Sequence, residues 1–313
     1  MEVKRRTART LVKKLSSVSE KTRTEAICEL RLISKNDPES RTFIAEAGAI
    51  PYLTDTLYSS SPIPQENAIA TLLNISISNR ELLMSTRGLL DALSHVLRHS
   101  PSSSTASVQT AAATLYSLLA VDDYRPIIGA KRDIVYALVD IVRNQNSPPR
   151  SIKDALKALF GISLYPLNRA TMVELGAVPA LFSLVVNDGR VGIVEDATAV
   201  IAQVAGCEES GCAFQKVSGI GVLLDLLDSA TGSSNRTREN SVSGLLNLVQ
   251  SGGEKIAEKV REMGSGPLDG IADIAENGSC KAKSKANSLL NIIDGRSSGF
   301  RDPRFDHILG HTS

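Results

Sequence analysis

A phrase of eighteen residues occurs twice in this chain with the same residue classes at the same offsets. Residues 40–57 read SRTFIAEAGAIPYLTDTL and residues 168–185 read NRATMVELGAVPALFSLV. Weaker copies begin at residues 79, 124, 212 and 258, so that six copies recur at a spacing of about 42 residues. This period is typical of solenoids built from three-helix repeats, and it predicts one elongated array in which each repeat packs on its neighbours.

Each copy is followed by a polar loop and by a second periodic phrase, such as QENAIATLLNIS at residues 65–76. Six positions are equivalent when these phrases are aligned: Asn74, Ser117, Gly161, Gln203, Asn247 and Asn291. The position two residues earlier is always Leu or Ile, and the next position is always aliphatic. Such spacing predicts one buried helical stripe. The repeat unit is therefore interpreted as a short helix, a bend, a Leu-rich second helix and a long third helix.

Glycines are expected at the bend between the first two helices of a repeat. Gly48, Gly176, Gly219 and Gly264 stand where the chain must turn sharply, because glycine adopts left-handed backbone conformations at little cost. The second and third copies carry Arg87 and Arg132 near the bend instead. We therefore expect less regular turns in those two copies.

The composition limits the core to aliphatic side chains and excludes several classes of protein. Aromatic residues make up 4% of the 313 residues and tryptophan is absent. A net charge of +1 gives no global attraction to nucleic acid, so no nucleic-acid partner is predicted. The four cysteines form no CxxC pair, which is typical of a reduced intracellular protein without disulfides.

No catalytic motif, metal site or cofactor is predicted. His95 and His99, like His307 and His311, stand four residues apart, a spacing that can hold a metal on a helix. No carboxylate or cysteine is adjacent to His95 or His99 in sequence, so we interpret that pair as surface residues.

The N-terminus is basic and contains no uninterrupted apolar stretch, so neither a secretory signal nor a membrane span is predicted there. An organelle transit peptide is the alternative to the preferred cytoplasmic or nuclear location. The basic cluster favours a charged outer face on a capping repeat; attraction to phosphate, to an acidic partner or to an anionic membrane surface is the alternative. Its members are Lys4, Arg5, Arg6, Arg9, Lys13 and Lys14. The expected divisions are residues 1–35 as a basic cap or partial repeat, 36–295 as repeats, and 296–313 as a loosely ordered tail.

The repeated phrases resemble armadillo repeats. The pattern R-x-x-I-x-E-x-G-A-(I/V)-P-x-L, followed by E-N-A-x-x-x-L-L-N-(I/L), is most similar to the armadillo region of plant U-box ubiquitin ligases. The resemblance covers residues 36–295 and implies an all-α, right-handed armadillo superhelix of about six repeats, with a partial repeat in front. No segment of residues 1–35 resembles the Cys-Pro-Ile phrase that opens a U-box. We therefore expect this chain not to promote ubiquitin transfer by itself.

The resemblance also implies where a partner binds. In armadillo families the third helices line a concave groove, and an asparagine in each holds the backbone of an extended peptide. The expected groove residues occupy the position of that asparagine, from which Gln203 departs in residue type, or lie about two helical turns before it. They are Asn67, Asn74, Asp154, Asp196, Gln203, Asn240, Asn247 and Asn291. For each asparagine the alternative is a capping or inter-helix hydrogen bond. Nuclear import adaptors place tryptophan four residues before the asparagine, and this chain has none, so a receptor for nuclear localisation signals is not expected.

Two classes of function follow. The first is a module that binds an extended protein segment or a ligase substrate, with a receptor-type kinase as a candidate partner. The second is a stand-alone scaffold that uses convex or loop surfaces and is unrelated to ubiquitination, with its Ser-rich loops open to regulation by phosphorylation. A basic segment bound near the acidic residues of 187–230 is a further hypothesis for the first class.

Overall fold

The structure is a computed structural model that describes residues 1–98 and 103–295. Those residues form α-helices, one short 3-10 helix at Ser229–Thr231 and no strand, which confirms the all-α prediction. The α-helices in chain order are α1 (Glu2–Leu15), α2 (Glu20–Asn36), α3 (Pro38–Glu46), α4 (Ala49–Thr56), α5 (Pro62–Ser76), α6 (Arg80–Met84), α7 (Leu89–Arg98), α8 (Thr105–Leu118), α9 (Tyr124–Gly129), α10 (Arg132–Arg143), α11 (Pro149–Ser163), α12 (Asn168–Glu174), α13 (Ala177–Asn187), α14 (Val191–Val204), α15 (Ser210–Lys216), α16 (Gly219–Asp225), α17 (Asn235–Gly252), α18 (Glu254–Glu262), α19 (Ser265–Asn277) and α20 (Cys280–Ile293). The expected tail at residues 296–313 lies outside the described residues.

From α3 onward the helices follow one another in sets of three. We call the last member of each set a third helix, and α2 takes the same place ahead of the first set. The third helices are α2, α5, α8, α11, α14, α17 and α20. Each one packs against the next, so that together they form one continuous layer along the described residues.

The buried stripe predicted from the aligned phrases is present in the third helices. Leu72, Leu115, Leu159, Ile201, Leu245 and Leu289 are all buried. The aliphatic position three residues later is buried as well, except that Ile292 of α20 is only half-buried. Aliphatic side chains spaced by three and four residues therefore hold the layer together. The expectation of a purely aliphatic core was wrong elsewhere, because the rings of Phe182 and Phe214 are also buried.

Serine and proline residues of the loops start six of the seven third helices, and α14 is the exception. The hydroxyls of Ser19, Ser104, Ser234 and Ser279 each accept a hydrogen bond from the backbone N–H three residues later, which caps α2, α8, α17 and α20. Helices α5 and α11 instead begin with proline, whose fixed φ suits a first helical turn. The polar loops before the third helices thus have a local structural role in starting those helices.

The bends agree with the glycine prediction in part. Gly48 and Gly176 adopt left-handed conformations with φ of 85° and 82°. The expectation for the second copy was wrong, because Gly88 makes the same kind of bend with φ of 83°. The third copy lacks a residue with positive φ, as expected.

The prediction for Gly219 was also wrong. Ser218, one residue earlier, takes the left-handed conformation with φ of 53°, and Gly219 is the first residue of α16. Gly219 is required there for close packing, since a Cβ atom would stand 2.7 Å from Cζ of Phe182. Gly264 has φ of 91° but ψ of −176°, outside the left-handed helical region.

No single helix in the described part of the chain is long and apolar enough to cross a bilayer. Helices α12 and α13 pass that test only as a pair, joined across a bend of 72°.

Candidate functional site

The candidate site is the surface of the third helices that no other helix covers. We call it the third-helix surface and define it by the half-buried and exposed side chains of α5, α8, α11, α14, α17 and α20. The predicted groove residues all belong to these helices, and all of them except the exposed Asn291 are half-buried. The layer of third helices brings them into one band that runs along the solenoid.

Asparagines at the aligned position connect neighbouring third helices. The Asn74 Nδ2 donates to Ser34 Oγ in α2 at 3.0 Å, and the Asn247 Nδ2 donates to the Ala202 carbonyl in α14 at 2.7 Å. No donor from residues 1–98 or 103–295 reaches Oδ1 of either side chain. Each amide therefore stabilises the stack with its N–H group and keeps an acceptor for a ligand N–H.

Asn291 differs from Asn247 although both have the same aligned position. It lies on α20, the last third helix of the described chain, and its side chain is exposed and makes no hydrogen bond with the described residues.

Gly161 takes the aligned position in α11, where a Cβ atom would stand 2.9 Å from Leu119 Cβ. That position serves the close approach of two helices.

Gln203 takes the aligned position in α14 and accepts a hydrogen bond from a half-buried cation, Arg169. Its Oε1 accepts a hydrogen bond from Nη2 of Arg169 at 3.2 Å, and Nη1 of Arg169 donates to the Gly206 carbonyl at 3.4 Å. Burial lowers the pKa of Arg169 from its ordinary value. Gln203 thus helps to satisfy a guanidinium group that has lost part of its hydration.

The two other predicted asparagines lie two helical turns before the aligned position and also connect helices. Asn67 accepts a hydrogen bond from Arg31 Nη1 at 3.0 Å through Oδ1, and its Nδ2 donates to the Ile63 carbonyl at 2.7 Å. Asn240 donates to the Glu195 carbonyl at 3.1 Å. The inter-helix hydrogen bond, which was the alternative for the asparagines, is present at Asn67, Asn74, Asn240 and Asn247.

The predicted carboxylates of Asp154 and Asp196 lie beneath cations. Lys157 Nζ is 3.9 Å from Asp154 Oδ1, and Lys153 Nζ is 3.9 Å from Asp196 Oδ2. Burial raises the pKa of Asp154, and Lys157 is the largest of the influences that oppose this shift. Arg236 Nη2 lies 3.7 Å from Asp196 Oδ1 on its other side.

Sequence reasoning did not assign these cations to the site. Lys153, Lys157 and Arg236 were not singled out, although Lys157 stands four residues before the aligned position, where nuclear import adaptors place tryptophan. Tyr116 of α8 was missed as well: it is 47% exposed and its ring centroid is 5.8 Å from Lys157 Nζ. The exposure of these four residues was predictable, because they stand one, four, eight and eleven residues before the aligned position and so share one helical face, but the pairing of the cations with Asp154 and Asp196 was not.

A set of arginines near the start of the first helices was missed too. In each case Nε donates to a backbone carbonyl at or next to the C-terminal end of a third helix, where carbonyls lack helical partners. The pairs are Arg41 with Ser34 O at 2.8 Å, Arg80 with Ser117 O at 2.7 Å, Arg125 with Leu119 O at 3.2 Å and Arg169 with Ser163 O at 2.9 Å. Arg261, in the last turn of α18, makes a similar hydrogen bond to Ile293 O at 2.6 Å. The recurrent arginine of the repeated phrase therefore has a structural role.

The histidines contribute no metal site that the structure describes. The ring of His95 lies 4.8 Å from the ring of Tyr58, while His99, His307 and His311 are outside the described residues. Within residues 1–98 and 103–295, no group of three or more His, Cys, Asp or Glu side chains is placed to hold a metal ion.

Solved structures support the architecture. A chain from the structure described as "A conserved phosphorylation switch controls the interaction between cadherin and beta-catenin in vitro and in vivo" superposes with a TM-score of 0.76 at 18% identity, over 92% of this chain and 55% of that chain. The designed armadillo repeat protein YIII(Dq)4CqI gives a TM-score of 0.51 at 20% identity, over 91% of this chain and 99% of that chain. The predicted armadillo solenoid is thereby confirmed.

Sequence comparisons identify the family. U-box domain-containing protein 17 of Arabidopsis thaliana is 35% identical over 304 residues, which are 95% of this chain and 40% of that protein. U-box domain-containing protein 4 of Oryza sativa subsp. japonica is 32% identical over 294 residues, which are 93% of this chain and 39% of that protein. The chain thus spans about two fifths of the length of each of these two relatives. Residues 7–267 match the family described as "Plant U-box protein ARM repeat region", and the chain belongs to this family of armadillo repeat regions.

Proposed function

We propose that this chain binds a protein segment along the third-helix surface, as the substrate-recognition region of a plant U-box ligase. The observation that carries the proposal is the continuous band of half-buried polar side chains across successive third helices. Asn74 and Asn247 each use one amide group to connect helices and keep Oδ1 as an acceptor, so an extended backbone has acceptors at separated places along one surface. Candidate partners are a ligase substrate or a receptor-type kinase, in the cytoplasm or nucleus.

The proposal is tested by filling the surface without changing its charge. Ala70, Ala113 and Ala199 are half-buried small residues on three different third helices. The triple variant Ala70→Tyr, Ala113→Tyr, Ala199→Tyr therefore places bulky side chains on the third-helix surface, where they obstruct a bound segment. The matched control places the same side chain at the exposed residues Ala130 and Gln215, on the first-helix side of the repeats.

Proximity labelling in a plant cell with the unaltered chain first defines the set of partners. We then expect the triple variant to lose most of those partners and the control pair to keep them, while circular dichroism shows equal helix content for all three proteins. Loss of partners from the control pair with retention by the triple variant would instead favour the scaffold that uses convex surfaces.

The role in ubiquitination has a separate test. We expect the purified chain, mixed with activating enzyme, conjugating enzymes and ubiquitin, to form no ubiquitin chains above a control without ligase. We also expect it to compete with Arabidopsis U-box domain-containing protein 17 for a substrate of that ligase. Formation of ubiquitin chains above the control by the purified protein alone would contradict the first expectation.

The stand-alone scaffold remains the second candidate because aromatic side chains are exposed away from the third helices. Tyr52 in α4 and Tyr136 in α10 are 41% and 46% exposed. Exposed tyrosines are frequent anchors of protein interfaces. Tyr52→Ser and Tyr136→Ser are expected to leave the labelled partners unchanged if the third-helix surface is the binding site.

A further inference from the structure

Three cations lie above shielded carboxylates on the third-helix surface. We call Lys153, Lys157 and Arg236 the groove cations. Their side chains are 43%, 41% and 61% exposed, whereas those of Asp154 and Asp196 are 16% and 15% exposed. The charge that an approaching molecule meets first is therefore positive, although carboxylates lie directly below.

The groove cations are held loosely by those carboxylates. Their N–O separations are 3.7 to 3.9 Å, which is beyond the range of a direct hydrogen bond. Ion pairs on other surfaces are closer, with Lys131 Nζ at 2.7 Å from Asp91 and Arg132 Nη1 at 2.8 Å from Glu174. The ammonium and guanidinium N–H groups of the groove cations are thus positioned near negative charge without donating to it, and they remain available as donors.

The groove cations lie on two third helices, α11 and α17, with α14 between them. Lys157 in α11 approaches the exposed ring of Tyr116 in α8, and Lys153 reaches over α14, where a Cβ atom on Gly192 would stand 2.9 Å from its Nζ. Arg236 in α17 approaches α14 from the opposite side, with Nη1 3.7 Å from Glu195 Oε2. Neighbouring helices are about 8 to 10 Å apart, so Lys157 and Arg236, the outermost pair, are separated by on the order of 20 Å, or about six residues of extended chain.

We propose that the groove cations bind an extended protein segment that carries anionic side chains, carboxylates or phosphates, spaced by about six residues. This inference rests on the proposed function and names the chemistry of the segment. An incoming anion gains charge-assisted hydrogen bonds from exposed donors. A basic segment, the hypothesis raised by the acidic residues of 187–230, would have to displace Lys153 and Arg236 to reach Asp196.

The proposal is tested with fluorescent twelve-residue peptides of one neutral Gly/Ser sequence and fluorescence anisotropy. Two positions six residues apart carry phosphoserine, glutamate, serine or lysine in four separate peptides. We expect the phosphoserine peptide, the glutamate peptide or both to bind at least tenfold more tightly than the serine peptide, with the advantage reduced by added salt. Which of the two binds distinguishes a phosphorylated segment from an acidic one.

Matched variants link that binding to the groove cations. The triple variant Lys153→Gln, Lys157→Gln, Arg236→Gln is expected to remove the tenfold advantage. The control Lys131→Gln, Arg132→Gln changes two exposed cations at the start of α10, outside the third-helix surface, and is expected to retain it. Equal helix content and melting behaviour establish that both variants fold.

The proposal is overturned if neither anionic peptide is preferred to the serine peptide, if the lysine peptide binds most tightly, or if the triple glutamine variant keeps the preference. Failure of the proposed function has a different signature. In that case binding of the anionic peptides depends on the groove cations, but the three Ala→Tyr substitutions leave the set of labelled cellular partners unchanged. Conversely, loss of partners in the tyrosine variant without any effect of the glutamines supports the proposed function and refutes the chemistry inferred for the segment.

Discussion

Replacing Ser218 with glycine is expected to stabilise this chain. Ser218 is the only residue other than glycine with positive φ in residues 1–98 and 103–295. Its φ and ψ of 53° and 32° resemble the values of 85° and 30° at Gly48 and of 82° and 29° at Gly176, which occupy the same bend in other repeats. The side chain is exposed and makes no hydrogen bond with the described residues, so its hydroxyl offers no compensation.

The magnitude follows from two opposing effects. A left-handed conformation costs a residue with a Cβ atom about 1 to 2 kcal/mol. Glycine loses more conformational entropy on folding than serine, and this loss offsets about 0.5 to 1 kcal/mol of the stabilisation obtained by relieving the strain. We therefore expect Ser218→Gly to raise the free energy of unfolding by about 0.5 to 1 kcal/mol.

Urea unfolding followed by circular dichroism measures this change, and hydrogen exchange of the α15 and α16 amides shows whether it is local. Ser218→Ala is the matched control, because it removes the hydroxyl and keeps the Cβ atom, and it should leave stability unchanged. Gly48→Ser is the reverse substitution: no atom lies within 4 Å of the Cβ it would add, so any cost reports backbone conformation alone. The reasoning is refuted if Ser218→Gly is no more stable than the unaltered chain while Gly48→Ser costs nothing.

Three further substitutions probe packing, charge and helix termini. Gly219→Ala should lower the free energy of unfolding by about 1 to 3 kcal/mol in urea titrations, because its Cβ atom would stand 2.7 Å from Phe182 Cζ. Burial raises the pKa of Asp154, so the folded chain binds that proton more tightly than the unfolded chain and ionisation lowers stability as pH rises. Asp154→Asn should therefore be more stable than the unaltered chain at neutral pH, and the difference should shrink in acid; a constant difference across the pH series would contradict this. Arg80→Met should cost about 1 kcal/mol and speed hydrogen exchange at the end of α8, because it removes the donor to the Ser117 carbonyl.

Sequence periodicity predicted the parts of the fold that depend on burial. Leu72 and Leu159 are buried at the predicted position of two third helices, since an apolar side chain at a fixed helical interval has one favourable environment in a stacked array. The bends were less predictable, because a glycine in the sequence shows only where a backbone conformation with positive φ costs little free energy. At Ser218 and Gly219 the serine adopts the strained conformation, because close packing against Phe182 requires the glycine one residue later.

The candidate surface was predictable as a band of third-helix residues, but the hydrogen-bond partners of its side chains were not. Asn74 and Asn67 donate to or accept from groups roughly forty residues away, and such partners are fixed by how the repeats stack. The groove cations were missed for the same reason. Only the spatial arrangement reveals that Lys153 and Arg236 cover Asp196 from two neighbouring helices.

The difference between Asn247 and Asn291 shows what the stack contributes to recognition. Both asparagines follow the same Leu-rich phrase, yet the Asn247 Nδ2 donates to the Ala202 carbonyl at 2.7 Å and the exposed Asn291 makes no hydrogen bond with the described residues. An amide held by the preceding helix presents its oxygen in one orientation, so a ligand that binds it loses little side-chain entropy. A free amide must be ordered when the ligand binds. Binding of a segment that crosses several third helices should therefore depend more on Asn247 than on Asn291, although both residues occupy the same position in the repeat pattern.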